Sequence, residues 1–308
     1  MKPKYSIIIP LYNKAPYIRK ALESVCAQTL KDWECIIVDD GSTDGSAAIC
    51  EEYPFRIIHQ ANVGVAAARN KGVVESTGEY LCFLDADDWW KPEFLAEIDK
   101  LIVAYPDAGI YATNYIYFKP GKTHVALNMP TGIICYPEAY LENESMPIWT
   151  GATCMPRRIF DEMGGFPEGI KLGEDFLLWA KTTLHYPFAF CDKPLAYYNN
   201  AVPASHRATR NLYKPAEYML FNLDGIEREI ASLEDELQQA FWQTLLEKLR
   251  VDGLMDYWLS SEYHDAAAAE LKKVHHGKWQ YEQPIWWRKF IRLSMKMGSL
   301  CKQAIVKL

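Results

Sequence analysis

Asp85-Ala86-Asp87 sets two carboxylates two residues apart at the end of the apolar run Tyr80–Asp85, with Asp88-Trp89-Trp90 directly behind. Where a strand ends, side chains two apart point the same way, so Asp85 and Asp87 converge on one cation, or on a cation and a hydroxyl. Hard carboxylate oxygens suit Mg²⁺ or Mn²⁺, which keep waters and take further ligands from substrate phosphates. Standing alone, an Asp-x-Asp is more often a solvated turn; its place behind a buried strand favours a site. A second cluster, Val38-Asp39-Asp40-Gly41-Ser42-Thr43-Asp44-Gly45-Ser46, puts carboxylates and tight-turning glycines at another strand end. There a buried-edge Asp accepts a hydrogen bond from a nucleobase N–H, or the segment merely caps the next helix. Asn62-x-Gly64 with Arg69-Asn70 offers a turn and a guanidinium, for phosphate oxygens or equally for a neighbouring Asp. Glu174-Asp175 opens a helical pattern, a place where acidic residues also simply suit the helix dipole.

These side chains work together only if the fold gathers them. Ser6–Pro10, Glu34–Asp39 and Tyr80–Asp85 are short, nearly continuous apolar runs, as expected of strands buried on both faces of a parallel sheet. Pro16–Thr29, Ser46–Tyr53 and the Ala-rich Val65–Ser76 carry helical character between them. Alternating strands and helices imply right-handed crossovers and an α/β, doubly wound, mostly parallel sheet flanked by helices. In such sheets ligands bind beyond the carboxyl ends of the strands. Pro10-Leu11-Tyr12-Asn13, the Asp39-Asp40 loop and the Asp85–Asp88 loop therefore share one rim. Beyond Pro92 the spacing predicts a helix over Glu93–Tyr105, a strand over Ala108–Phe118, a looser Gly/Pro-rich stretch to Gly173 and a helix over Glu174–Thr183. From about Lys214 long amphipathic patterns such as Ala231–Arg250 predict a helical extension. The expected division is 1–212 for the α/β domain and 213–308 for the helical region.

The 308 residues are 49% hydrophobic and 24% charged, which excludes disordered, collagen-like and disulfide-scaffold classes. A net charge of −7 argues against a nucleic-acid partner. The charge is uneven, because Pro284–Leu308 holds Arg288, Lys289, Arg292, Lys296, Lys302 and Lys307 and no acidic residue. In that basic tail, 284–308, Trp286, Phe290, Leu293, Met297, Leu300, Ala304 and Leu308 fall on one helical stripe. This layout suits either an anionic membrane surface or docking on the preceding domain. The eight cysteines lack metal-type pairs and read as reduced thiols. No apolar run reaches the roughly 18 residues of a membrane span, so the expected location is cytoplasmic, peripheral at the inner face of the cell membrane.

Together, Ser6-Ile-Ile-Ile-Pro-Leu-Tyr-Asn13, Ser24-Val-Cys-Ala-Gln-Thr29, Ile37-Val-Asp-Asp-Gly-Ser-Thr-Asp-Gly-Ser46, Asn62-Val-Gly-Val-Ala-Ala-Ala-Arg-Asn70 and Phe83-Leu-Asp-Ala-Asp-Asp88 resemble the family 2 glycosyltransferases of the GT-A fold. The resemblance is dense over roughly the first 90 residues and thinner to about residue 210. It implies an inverting transferase that uses a nucleotide-sugar, here a UDP-sugar, and Mn²⁺ or Mg²⁺. It also implies the roles. Pro10, Leu11, Tyr12, Asn13, Asp40, Arg69, Asp85 and Ala86 would line the nucleotide, with Asp40 accepting the uracil N3–H and Asp85 near the ribose. Asp87 would bind the metal, with His206 as a further ligand or a solvent-facing loop residue. Gly164-Gly165-Phe166 and Glu174-Asp175 match the family's acceptor side, with Asp175 as the base and Glu174 as the alternative. Gly165, Glu174 and Trp89 are the acceptor-side expectations, although core packing is the commoner fate of Trp. The implied acceptor is a glycan or lipid-linked glycan hydroxyl of surface polysaccharide synthesis, and self-association of the chain is a further expectation. Two other classes compete: a sugar-nucleotide nucleotidyltransferase, disfavoured because Pro10–Pro16 is not a Gly-rich basic loop, and a degenerate glycan-binding scaffold.

Overall fold

The computed structural model of the chain describes residues 2–143, 145–203 and 211–274. His206 and the basic tail 284–308 lie outside the described residues. The chain divides into two compact units, Met1–Arg210 and Asn211–Leu308.

The first unit grows outward from β1 (Tyr5–Leu11), every residue of which is buried. An apolar run buried on both faces needs strands on either side and helices above and below. β2 (Trp33–Asp39) pairs with it in parallel from Tyr5↔Trp33 to Leu11↔Asp39. The intervening α1 (Ile18–Cys26) buries Ile18, Ala21, Leu22 and Val25, the helical spacing that lays one stripe on the sheet. It is shorter than Pro16–Thr29 because the chain turns at Ala27 and the Gln28 side chain bonds instead to Ser24 O and Lys91 O. After α2 (Ser46–Cys50), β3 (Arg56–His59) joins β2 in parallel. α3 (Val65–Val74) then crosses back over the sheet at Gly72, where a Cβ would come within 2.4 Å of Ile8 Cγ2. β4 (Tyr80–Phe83) closes this half in parallel on the other side of β1.

The second half is mixed. β5 (Trp89–Trp90), α4 (Phe94–Ala104), β6 (Ile110–Lys119), β7 (Lys122–Val125), β8 (Gly132–Ile134), α5 (Tyr136–Glu142), β9 (Thr153–Pro156), α6 (Arg157–Met163), α7 (Glu174–His185) and β10 (Phe188–Asn199) follow. The sheet order is β3-β2-β1-β4-β9-β6-β10-β5, with β7 on β6 and β8 on β10. β9 runs antiparallel to both β4 and β6, while β6 and β10 are parallel. β10 is irregular around Pro194, which has no N–H to give the ladder. The looser stretch of the sequence thus holds β7, β8, β9, α5 and α6, elements too short to show a period.

In the second unit, α8 (Asp224–Ala231) and α9 (Glu236–Gly253) replace the single helix expected over Ala231–Arg250. The break has a cause: the Asp235 carboxylate accepts from Leu237 N and Gln238 N and caps a new helix. α10 (Met255–Trp258) and α11 (His264–Leu271) complete it, around Trp242, Leu245, Trp258 and a buried Arg250 paired with Glu227 and Glu270. No helix among the described residues is long and apolar enough to cross a membrane.

Candidate active site

Because β3, β2, β1 and β4 are parallel neighbours, the loops leaving Leu11, Asp39, His59 and Phe83 emerge on one edge. Pro10 and Leu11 stop short of it. Both are buried in β1, and the Leu11 carbonyl accepts from Asp40 N at 2.8 Å. Tyr12 is the member of that quartet that stands out, 48% exposed. Asn13 takes φ +50° and turns its side chain onto the neighbouring loop, where Oδ1 accepts from Thr43 N at 2.8 Å. With Asn13 N on Ser42 Oγ, Lys14 N on Ser46 Oγ and Ala15 N on Asp44 Oδ2, the two loops are stitched together.

Asp39 and Asp40 have different surroundings. Burial works to raise the Asp39 pKa, but bonds from Ser42 and His59 outweigh it and leave the carboxyl below its ordinary value. Asp40 is only 3% exposed and accepts three hydrogen bonds from one loop: Gln60 Nε2 at 2.8 Å, Val63 N at 3.0 Å and Gly64 N at 2.9 Å. A carboxylate has about four acceptor positions, so one remains.

At the β4 end, each acid of Asp85–Asp88 has its own partner. Asp85 Oδ1 accepts from Arg69 at 2.8 Å and Asp87 Oδ2 from Lys14 Nζ at 2.5 Å. Ala86 between them is buried. Asp88 is buried and accepts from Asn199 N at 2.7 Å, which ties this loop to the end of β10; burial, then the charges of Asp87 and Asp85, push its carboxyl well above the ordinary value.

Of the two readings open for Arg69, a phosphate partner or a neighbouring acid, the structure has the guanidinium on acids. It is 4% exposed, and its two terminal nitrogens are committed to Asp85 and, at 2.7 Å, to Glu174 Oε1. Burial opposes its charge, but Asp85, Glu174 and Asp175 hold it firmly protonated. Glu174 has the reverse balance. Burial, then the Asp175 charge, lift its pKa to about 7 against the pull of Arg69. One guanidinium facing three carboxylates leaves one of them short of a counter-charge. Asp175, in the first turn of α7, is half-buried; its Oδ2 accepts from Thr150 Oγ1 at 2.8 Å and its Oδ1 from Phe176 N. Thr150 thus orients the carboxylate.

Two residues expected on the acceptor side, Gly165 and Trp89, make close packing contacts within the protein. Gly165, at φ +74°, lies where a Cβ would press on Asn70 Oδ1 and the Phe160 ring. Its neighbour Phe166 is clamped by Asn70 through both main-chain groups, so the glycine serves a close packing contact. Trp89 is 8% exposed, stacked on Tyr197 at 5.0 Å and edge-on to Phe118, with Lys20 Nζ 3.2 Å from its ring centre. Its faces are taken by the protein. Trp90, Trp149 and Trp179 are buried as well. Lys14 and Thr150 were not singled out by sequence, since partners 73 and 25 positions away leave no local signal.

Comparisons with known proteins agree with this architecture. The chain is 42% identical over 124 residues to the glycosyltransferase GlyA of Streptococcus pneumoniae, covering 39% of this chain and 18% of that protein. It is 49% identical over 167 residues to the glycosyltransferase YibD of Escherichia coli, covering 49% of this chain and 47% of that one. The chain therefore matches less than half the length of either relative. The crystal structure of S. aureus TarS 1–349 in complex with UDP-GlcNAc superposes with a TM-score of 0.74 at 20% identity, covering 89% of this chain and 82% of that chain, a likeness of the GT-A fold. The family model for glycosyl transferase family 2 matches residues 6–162, half of the chain, and to that family this chain belongs.

Proposed function

We propose that the chain transfers a sugar, with inversion at the anomeric carbon, from a UDP-sugar to a hydroxyl of a glycan or lipid-linked glycan in surface polysaccharide synthesis. The observation that carries this reading is the buried Arg69 bridge. It draws Asp85, at a strand end where α/β sheets bind ligands, against Glu174, whose neighbour Asp175 is the best-placed base. Asp175 takes the proton of the acceptor hydroxyl, its carboxylate aimed by Thr150. Tyr12, exposed beside the Asp40 loop, offers a ring for the base, and the remaining acceptor position of Asp40 suits the uracil N3–H. The UDP and UDP-GlcNAc complexes of the structural neighbour TarS support a uridine donor.

The donor set fits a divalent cation that takes most of its shell from elsewhere. Among the described residues no three His, Cys, Asp or Glu are grouped to hold a metal, but Asp85 and Asp87 each spend one oxygen on a protein cation and keep the other. A Mg²⁺ or Mn²⁺ there would neutralise charge on the departing diphosphate. An anionic membrane surface for the basic tail and self-association remain part of the proposal.

Asp175→Asn tests the assignment. Transfer should fall by about 10²- to 10⁴-fold while UDP binding by calorimetry is kept. Undiminished UDP release from UDP-sugars would remove Asp175 from the role, and a preference for GDP over UDP and dTDP donors in a thermal-shift screen with Mn²⁺ would overturn the reading of Asp40.

A further inference from the structure

Lys14 is a charged rim residue to which the chemistry above gives no task. Its main chain is fixed, with the N–H on Ser46 Oγ at 3.2 Å between Asn13, held by Thr43, and Ala15, held by Asp44. Its side chain is ion-paired at the tip, where Nζ meets Asp87 Oδ2 at 2.5 Å with the two side chains 20% and 19% exposed. Two other cations near this end are committed: Arg69 to Asp85 and Glu174, and Lys20 to the face of Trp89. Among the described residues Lys14 is thus a cation that a diphosphate could recruit, and it rests on the carboxylate best placed for a divalent ion. Two cations on one carboxylate repel each other. An ammonium on a flexible four-carbon stem can change partner by side-chain rotation while its main chain stays clamped.

We propose that Lys14 is a tethered counter-ion for the donor diphosphate. It holds Asp87 in the nucleotide-free protein and turns to a diphosphate oxygen when Asp87 carries a divalent cation. The inference rests on the metal-diphosphate reading of the acidic loop given above. It predicts antagonism between Lys14 and metal in the absence of nucleotide, and cooperation once nucleotide is present, which a merely structural ion pair would not produce.

The test uses the full chain and two probes, Mn²⁺ alone and UDP, titrated by calorimetry or by the electron paramagnetic resonance signal of free Mn²⁺. Lys14→Met should bind Mn²⁺ about fivefold more tightly than the wild type without nucleotide, and UDP about fivefold more weakly with Mn²⁺ present, the scale of a partly exposed ion pair. Lys14→Arg, which keeps a cation on Asp87, should bind Mn²⁺ as the wild type does. If Lys14→Met does not gain Mn²⁺ affinity, or does not lose UDP affinity, the inference is overturned. If Mn²⁺ binds neither protein, the metal reading itself falls and takes the inference with it.

Discussion

The two ends of the rim are held in opposite ways. At the β2 end, Asp40 is surrounded by neutral donors, two of them main-chain N–H groups of Val63 and Gly64. At the β4 end, Asp85 and Asp87 are balanced by charged side chains, Arg69 and Lys14. Main-chain donors fix a shape and cannot leave. Side-chain cations fix a charge balance that a ligand can redistribute, and a buried one leaves a large deficit if it is removed. Under the proposed function, one end would take a constant group such as a base, and the other a diphosphate whose charge changes as a bond breaks.

Arg69→Met is the strongest challenge to this contrast. It strands Glu174 in a buried site and Asp85 beside it, so unfolding free energy should drop by about 3–5 kcal/mol. Urea denaturation of the variant measures it, and a loss below about 1 kcal/mol would mean that the acidic end does not depend on its cation. Asp40→Asn should cost less, about 1–3 kcal/mol. The amide presents an NH₂ where Gly64 N now donates, so one of three bonds is lost and the others stay; a cost equal to that of Arg69→Met would erase the difference between the ends. The smallest effect is a slope. Burial and the Asp175 charge raise Glu174 from 4.5 to about 7, so between those values the folded chain holds a proton that the unfolded chain has released. Stability therefore falls as pH rises through that window. Urea midpoints at several pH values should show this fall for the wild type and a flatter profile for Glu174→Gln; identical profiles would show that Arg69 already keeps Glu174 ionised.

The legible parts of this chain were those written into consecutive residues. β1, β2 and β4 read correctly because burial on both faces demands unbroken apolar runs, and their polar ends then had to share an edge. Glu174 and Asp175 were found as a pair at a helix start. What sequence missed depends on distance in the chain or on packing. Thr150 and Lys14 act on acids far away in sequence, and nothing in their own neighbourhoods marks them. The packing partners of Trp89 and Gly165, Tyr197 in one case and Asn70 in the other, were likewise invisible in the sequence around them. β5, two residues long, is too short for any period to reveal.

The three bonds to Asp40 also act as a ruler. Gln60, Val63 and Gly64 reach one carboxylate only while the stretch between His59 and Val65 keeps its present number of residues. A single insertion there would carry the donors past the oxygens. The hairpin tip at Pro120 and Gly121 has no such constraint, since it is exposed and a Cβ at Gly121 meets nothing within 4 Å. Lineages that diverge in loop length, and engineers who splice a module into this unit, have room at the hairpin and none beside Asp40.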